Sequence, residues 1–264
     1  MNPIRNGTLE YIRSDLISVP HGFTTRFGGV STGYLESLNI ALHRGDDPEN
    51  VAENYRILGA ALEFTAADLV MTRQTHSDLV RVVTRADCAG IDHHAYPECD
   101  GLVTGDPGVA LVIFTADCTP ILLHDPVTGV VGAAHAGWRG TAAAIARKTV
   151  ETMVRHFGCD PANIRAAIGP NIGACCFETD SDVPEAMYAA FGEEISPYIT
   201  KTGKKYHLDL KGINAHILRR AGVRQIDIST DCTACQSSRF WSHRVTGGKR
   251  GSQGAVIVCK EVTP

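Results

Sequence analysis

Short apolar runs separated by turn residues dominate the middle of the chain, and they predict strands. Leu79 to Val83, Val109 to Thr115, Pro120 to His124 and Val130 to His135 are β-branched or apolar and bounded by Gly, Pro, Asp or Thr. Ile164 to Ile168 and Ala255 to Cys259 repeat the pattern. Between them, Ile145, Thr149, Val150, Met153, Val154 and Phe157 recur at helical spacing, which predicts one amphipathic helix over Thr141 to Phe157. Ile213 to Ala221 also predicts a helix, stopped by Gly222. The stretch from Asp87 to Cys99, with His93, His94 and Pro97, reads as an exposed loop whose adjacent histidines point apart and do not share a metal. Strands interleaved with helices predict a mixed α/β protein with helices layered over sheet.

No repeat, low-complexity tract or Pro/Gly/Ser linker divides the chain, so residues 1–264 are expected to form a single domain. Lys plus Arg number 25 and Asp plus Glu 29, with a net charge of -4 and no basic block. That balance argues against nucleic acid as partner, because phosphate neutralisation needs a basic face. The apolar runs are too short to cross a membrane. MNPIRNGTLEY has no signal-peptide core, so a cytoplasmic protein is expected. The nine cysteines are odd in number and irregularly spaced, which fits reduced thiols better than a disulfide framework.

Three residues sit where predicted strands end beside turn or polar residues: His76 in TRQTHSDLV, Cys118 in TADCTP and His135 in AAHAGWRG. Two imidazoles and a thiolate make a catalytic zinc set with one tetrahedral position left open. Their sequence separations match no short metal-finger pattern, and either histidine alone reads as a buried structural residue. Cys118 lies in a tight turn between Asp117 and Pro120, where a nearby metal would keep the thiol ionised. His135 opens a strand-to-helix junction with Gly137, Arg139 and Gly140, whose helix N-terminus and guanidinium suit an anion. The Gly-rich stretch HGFTTRFGGVSTGYLESLNI offers a second anion-binding turn around Arg26, and Asn39 near its end joins Arg26 and Arg139 as a substrate-binding candidate. Cys232 and Cys235 look like half a zinc ribbon, but no matching pair follows them.

The blocks HGFTTRFGGVSTGYLESLNI, RQTHSD, CDGLVTGDPGVAL, ADCTPILLHDP, AAHAGWRGT and IGPNIGACCFE, in that order, resemble the laccase-domain proteins. These were historically labelled polyphenol oxidases and are now described as multifunctional purine nucleoside enzymes. The resemblance implies zinc at His76, Cys118 and His135, with copper the less favoured metal. It also implies a layered α/β/β/α fold similar to the cytotoxic necrotising factor catalytic domain. The implied reactions are phosphorolysis of adenosine, inosine and methylthioadenosine, and deamination of adenosine to inosine. The implied partners are a purine nucleoside and phosphate, and the protein is expected as a monomer or small homo-oligomer. A related branch edits peptidoglycan by cleaving a wrong amino acid from a muramyl precursor. The family's C-terminal block carries Thr-Gly-Arg where this chain has Lys249-Arg250-Gly251-Ser252, so a substrate contact is either displaced onto Arg250 or lost.

Deamination needs an activated water at C6 and a carboxylate to move protons, for which Asp100 and Asp117 are the candidates beside Cys118. Either carboxylate would serve equally well to orient a ligand imidazole. Phosphorolysis needs cations to position phosphate, here Arg26 or Arg139. Three competing readings stand beside these: a copper oxidase, disfavoured because no His-x-His pair exists; a metal-free Cys–His hydrolase; and a non-catalytic binding module.

Overall fold

In the computed structural model, which describes residues 1–262, two six-stranded sheets lie face to face. The first runs Asn2–Asn6, Leu9–Arg13, His21–Thr24, Gln253–Val258, Ala110–Thr115 and Leu69–Met71. The second runs Gln225–Ile228, Arg165–Ile168, Thr119–His124, Val131–Ala136, Gly101–Thr104 and Val80–Val82. Pairing is antiparallel inside both sheets and becomes parallel at Leu69–Met71, Val80–Val82 and Gln225–Ile228. A three-stranded sheet of Glu178–Thr179, Lys205–Leu208 and Ile199–Thr202 stands apart.

The alternation of the central strands sets the layers. Leu102, Ala133, Leu122 and Ala167 pair in one row across the second sheet and all join the core shared with the first sheet. Their sequence neighbours Val103, Ile121, Leu123, Ala134, Ala166 and Ile168 point the other way, into a second core. Helices Ile145–Phe157 and Leu210–Arg220 close that second core through Ile145, Val150, Met153, Ile213 and Ile217. Helix Pro48–Leu62 covers the first sheet with Val51, Tyr55, Leu58 and Leu62. Asp47 caps its start, accepting from Glu49 N at 2.9 Å, and Pro48 occupies the first turn where its missing N–H costs nothing. The order is helix, sheet, sheet, helix, as expected.

Two expectations are corrected. The stretch over Thr141 to Phe157 is two helices, Trp138–Ala142 and Ile145–Phe157, broken where Ala144 takes φ 58°. Val154 is 37 % exposed, because the 100° turn per residue carries it off the stripe centred on Met153. The loop over Asp87 to Cys99 is exposed at Ala89, Asp92, His94, Ala95, Pro97 and Glu98, as expected, but anchored at the buried Tyr96 and Cys99, the Tyr96 hydroxyl lying 2.7 Å from the Leu69 carbonyl and 2.9 Å from that of Gly90.

Because a one-residue slip would exchange the two cores, Leu122 bears on register as well as packing. Leu122→Ala is expected to lose about 2–5 kcal/mol in guanidinium unfolding with an unchanged denaturant slope. A loss below about 1 kcal/mol would show that this layer tolerates a cavity.

Candidate active site

Two of the four steps the chain takes between the sheets carry a chemically able side chain. His76 lies between Leu69–Met71 of the first sheet and Val80–Val82 of the second. Cys118 lies in the turn between Ala110–Thr115 of the first and Thr119–His124 of the second. His135 is the penultimate residue of Val131–Ala136, paired with Pro120 in register.

Asp100, fully buried just before strand Gly101–Thr104, holds this arrangement. Its Oδ1 accepts from His76 N at 3.1 Å and lies 2.8 Å from His135 Nδ1. Its Oδ2 accepts from Thr75 N at 3.1 Å, Ser77 N at 2.7 Å and the Ser77 hydroxyl at 2.6 Å. Three successive backbone N–H groups thus wrap one carboxylate, and they stabilise the positive φ of 60° at His76. Burial pushes the Asp100 carboxyl up, but hydrogen bonds from His135 and Ser77 outweigh it and hold it at about 2. With Nδ1 engaged, His135 presents Nε2 to the opposite side.

Cys118 Sγ lies 3.7 Å from His76 Nε2, and ligand atoms of His76, Cys118 and His135 all fall within 4.8 Å of one another. Bonds of about 2.0–2.3 Å at tetrahedral angles separate ligand atoms by roughly 3.3–3.8 Å, so the set fits a metal. Gly137 makes the approach possible, since a Cβ there would stand 2.6 Å from His76 Cδ2 and 3.2 Å from Cys118 Sγ. Burial raises the Cys118 thiol, yet His135 and His76 bring it down to about 6. Burial lowers His135, but the Cys118 thiolate and Asp100 carry it up to about 9. Two further groups gather metal-type ligands: Cys175, Cys176, Cys232 and Cys235, and His43, Asp92 and His93.

Two cavities meet at Cys118 and His76. The smaller, about 160 Å³, is walled by Gln74, His93, Phe114, His135 and Arg250. The larger, about 390 Å³, has Trp138, Ile172, Phe177 and Leu210 on its apolar side and Arg44, Arg244 and Arg250 on its charged side. The Arg250 guanidinium bonds the Gly251 carbonyl and the Ser252 hydroxyl through Nη1, and its buried Nε has no protein partner. Burial and nearby Arg44 lower Arg250 to about 10, which leaves it charged at neutral pH.

The structure gives other tasks to several predicted residues. Arg26 lies outside both cavities: its guanidinium donates to the Glu36 and Ser237 carbonyls and stacks 4.0 Å over Trp241. Asn39 is fully buried and saturated by Ala41, Asp46 and Ser252. Arg139 is exposed and stacked 4.2 Å over Trp138, on a five-residue helix too short to offer the expected anion site. Asp117 lines the larger cavity, but its oxygens accept from Thr233 Oγ1 and Arg244 N, both at 2.6 Å, so it braces the Cys118 turn. Asp100 is equally saturated, with the His135 imidazole among its partners. Sequence reasoning missed Arg44, His93, Phe177 and Arg244, which reach the cavities from loops and short elements with no periodic signal. Arg250 was signalled only as a departure from the family block.

Residues 20–260 match the family described as multi-copper polyphenol oxidoreductase laccase. The chain belongs to this family. A purine nucleoside phosphorylase from Deinococcus radiodurans is 43 % identical over 94 % of this chain and 92 % of its own length. An adenosine deaminase from an unknown prokaryotic organism is 38 % identical over 87 % of this chain and 90 % of its own. The crystal structure of YlmD from Geobacillus stearothermophilus superposes with a TM-score of 0.91 at 36 % identity, covering 98 % of this chain and 99 % of that one.

For this laccase-domain chain, Asp100→Asn replaces an acceptor of five donors by an amide whose NH₂ must face at least two of them. Loss of a buried, fully hydrogen-bonded charge is expected to cost about 3–5 kcal/mol, read as a lower melting temperature and denaturation midpoint. Unchanged stability would show that the three-residue turn holds without the carboxylate.

Proposed function

We propose that the chain is a zinc-dependent purine nucleoside enzyme, catalysing phosphorolysis of adenosine, inosine and methylthioadenosine and deamination of adenosine to inosine. The observation that carries this reading is the convergence of His76, Cys118 and His135 at the junction of an aromatic and a cationic cavity wall. The names of the relatives, purine nucleoside phosphorylase and adenosine deaminase, support it. His76, Cys118 and His135 would hold a zinc ion, which would supply Lewis acidity when bound.

Trp138 and Phe177 offer faces on which a purine can lie. Arg250 and Arg44, like charges lining the same cavities, are relieved by an anion between them. In phosphorolysis, phosphate held there attacks the ribose carbon while the glycosidic bond breaks and its electrons leave with the purine. In deamination, water adds to C6 and ammonia departs, so the anion site is idle. Asp100 keeps the His135 ring in the orientation that both reactions use.

A second reading has one observation in its favour. Asp100, His135 and Cys118 form a carboxylate–imidazole–thiol relay, with the thiol lowered to about 6, as a Cys–His hydrolase needs. The copper oxidase suggested by the family's descriptive name is less well supported, since two imidazoles and a thiolate are few donors for a copper cluster.

Incubation of zinc-loaded protein with adenosine, with and without phosphate, separates the readings. Adenine with phosphate and inosine without it are expected, both abolished by chelation; turnover that survives chelation but not alkylation would establish the thiol enzyme. Cys118→Ala is expected to lose one metal equivalent and most turnover. Arg250→Ala is expected to weaken phosphorolysis at least tenfold, mainly through the KM for phosphate, with deamination within about threefold of wild type. Equal loss of both activities would make Arg250 a shared nucleoside contact.

A further inference from the structure

We propose that Cys175, Cys176, Cys232 and Cys235 form a second metal site, a closed four-thiolate centre that holds zinc as a structural ion. The sulfurs come from two segments distant in sequence, and all four lie within 4.8 Å of one another. Cys235 Sγ is 3.5 Å from Cys175 Sγ and 3.3 Å from Cys176 Sγ. A tetrahedral zinc with bonds of about 2.3 Å sets its sulfurs roughly 3.8 Å apart, so small adjustments close the shell.

The surroundings suit thiolates. Gly173 N and Cys235 N point at Cys232 Sγ, at 3.2 and 3.5 Å. A Cβ at Gly173 would press to 3.2 Å on both Cys175 Sγ and Cys232 Cβ, so the glycine lets the backbone reach the sulfurs. The buried Lys211 ammonium, donating to the Asp231 carbonyl at 2.7 Å, lies close enough to Cys232 and Cys175 to offset part of the double negative charge of such a centre. Core packing does not explain the group: Cys99, Cys159 and Cys259 are buried among apolar neighbours, whereas Cys175 and Cys235 are exposed. On binding, zinc replaces four thiol protons, which pass to solvent, and no electron is transferred.

With four protein ligands the ion has no open position, so its role is to staple. Both cysteine segments grip the Cys118 turn, Ile172 N donating to the Asp117 carbonyl at 2.9 Å and Thr233 Oγ1 to the Asp117 carboxylate. No matching pair follows Cys232 and Cys235 in the sequence, but Cys175 and Cys176, which precede them, lie beside them in space.

The test counts metal in the full chain purified under reducing conditions with zinc in the medium. Two zinc equivalents are expected in wild type, one in Cys118→Ala, one in Cys175→Ala and two in Cys175→His, which keeps a donor at an exposed position. Cobalt bound to the Cys118→Ala protein is expected to show the intense thiolate charge-transfer bands of a tetrahedral four-sulfur site, a readout independent of turnover and of the fold of any cysteine variant of the cluster. A single equivalent in wild type that Cys175→Ala leaves in place would overturn the proposal. So would cobalt without those bands, or paired disulfides among the four cysteines in freshly isolated protein.

Discussion

The Asp100 carboxylate is the constraint on which the site's geometry rests. A buried anion needs donors, and this one takes them from the His76 turn on one side and the His135 imidazole on the other. Satisfying the charge therefore sets two distant stretches of chain in register. The cost of burying it is offset only when all five donors arrive together, which makes the site an all-or-none feature of the fold. Thr75, His76 and Ser77 would otherwise have little reason to hold a positive φ on a non-glycine residue.

The thiol is held by a different device. Cys118 has no anchor of its own; its place follows from the Asp117 carboxylate, which ties the turn to Thr233 and to the start of the His243–Thr246 helix. One carboxylate thus holds the His76 backbone and the His135 imidazole, and another the turn that carries the sulfur. The cationic and aromatic lining of the larger cavity comes from residues outside the sheets, among them Arg250, Arg244, Trp138 and Phe177.

What was legible in the sequence follows from the range of the interactions. The central strands and the helix stripe of Ile145, Thr149, Val150 and Met153 were readable because periodicity is local and burial enforces it. That His76, Cys118 and His135 come together was readable because strand ends and turns leave compositional marks around each of them. The surroundings of Asn39, Arg26 and Arg139 were not readable because a glycine-rich loop and a conspicuous Arg look alike whether their donors turn inward to carbonyls or outward to solvent. The four-cysteine group escaped because spacing rules read consecutive sequence, while its two halves meet through tertiary contacts such as the pairing of Asn171 with Cys232 and the bond from Gly173 N to Cys232 Sγ. The break at Ala144 left no mark, since alanine favours the helix it interrupts.

His76 and Cys118 both ride on the segments where the chain steps from one sheet to the other. Strand faces are forgiving: an apolar residue of similar volume serves nearly as well as another, and the layers survive. A crossing is not, because adding or removing one residue rotates its donor away from the other two whatever residue is chosen. Chain length at these two steps is thus fixed more tightly than chemistry is fixed in the strands beside them. The sandwich is free to drift in composition around a gauge set by the span between its halves.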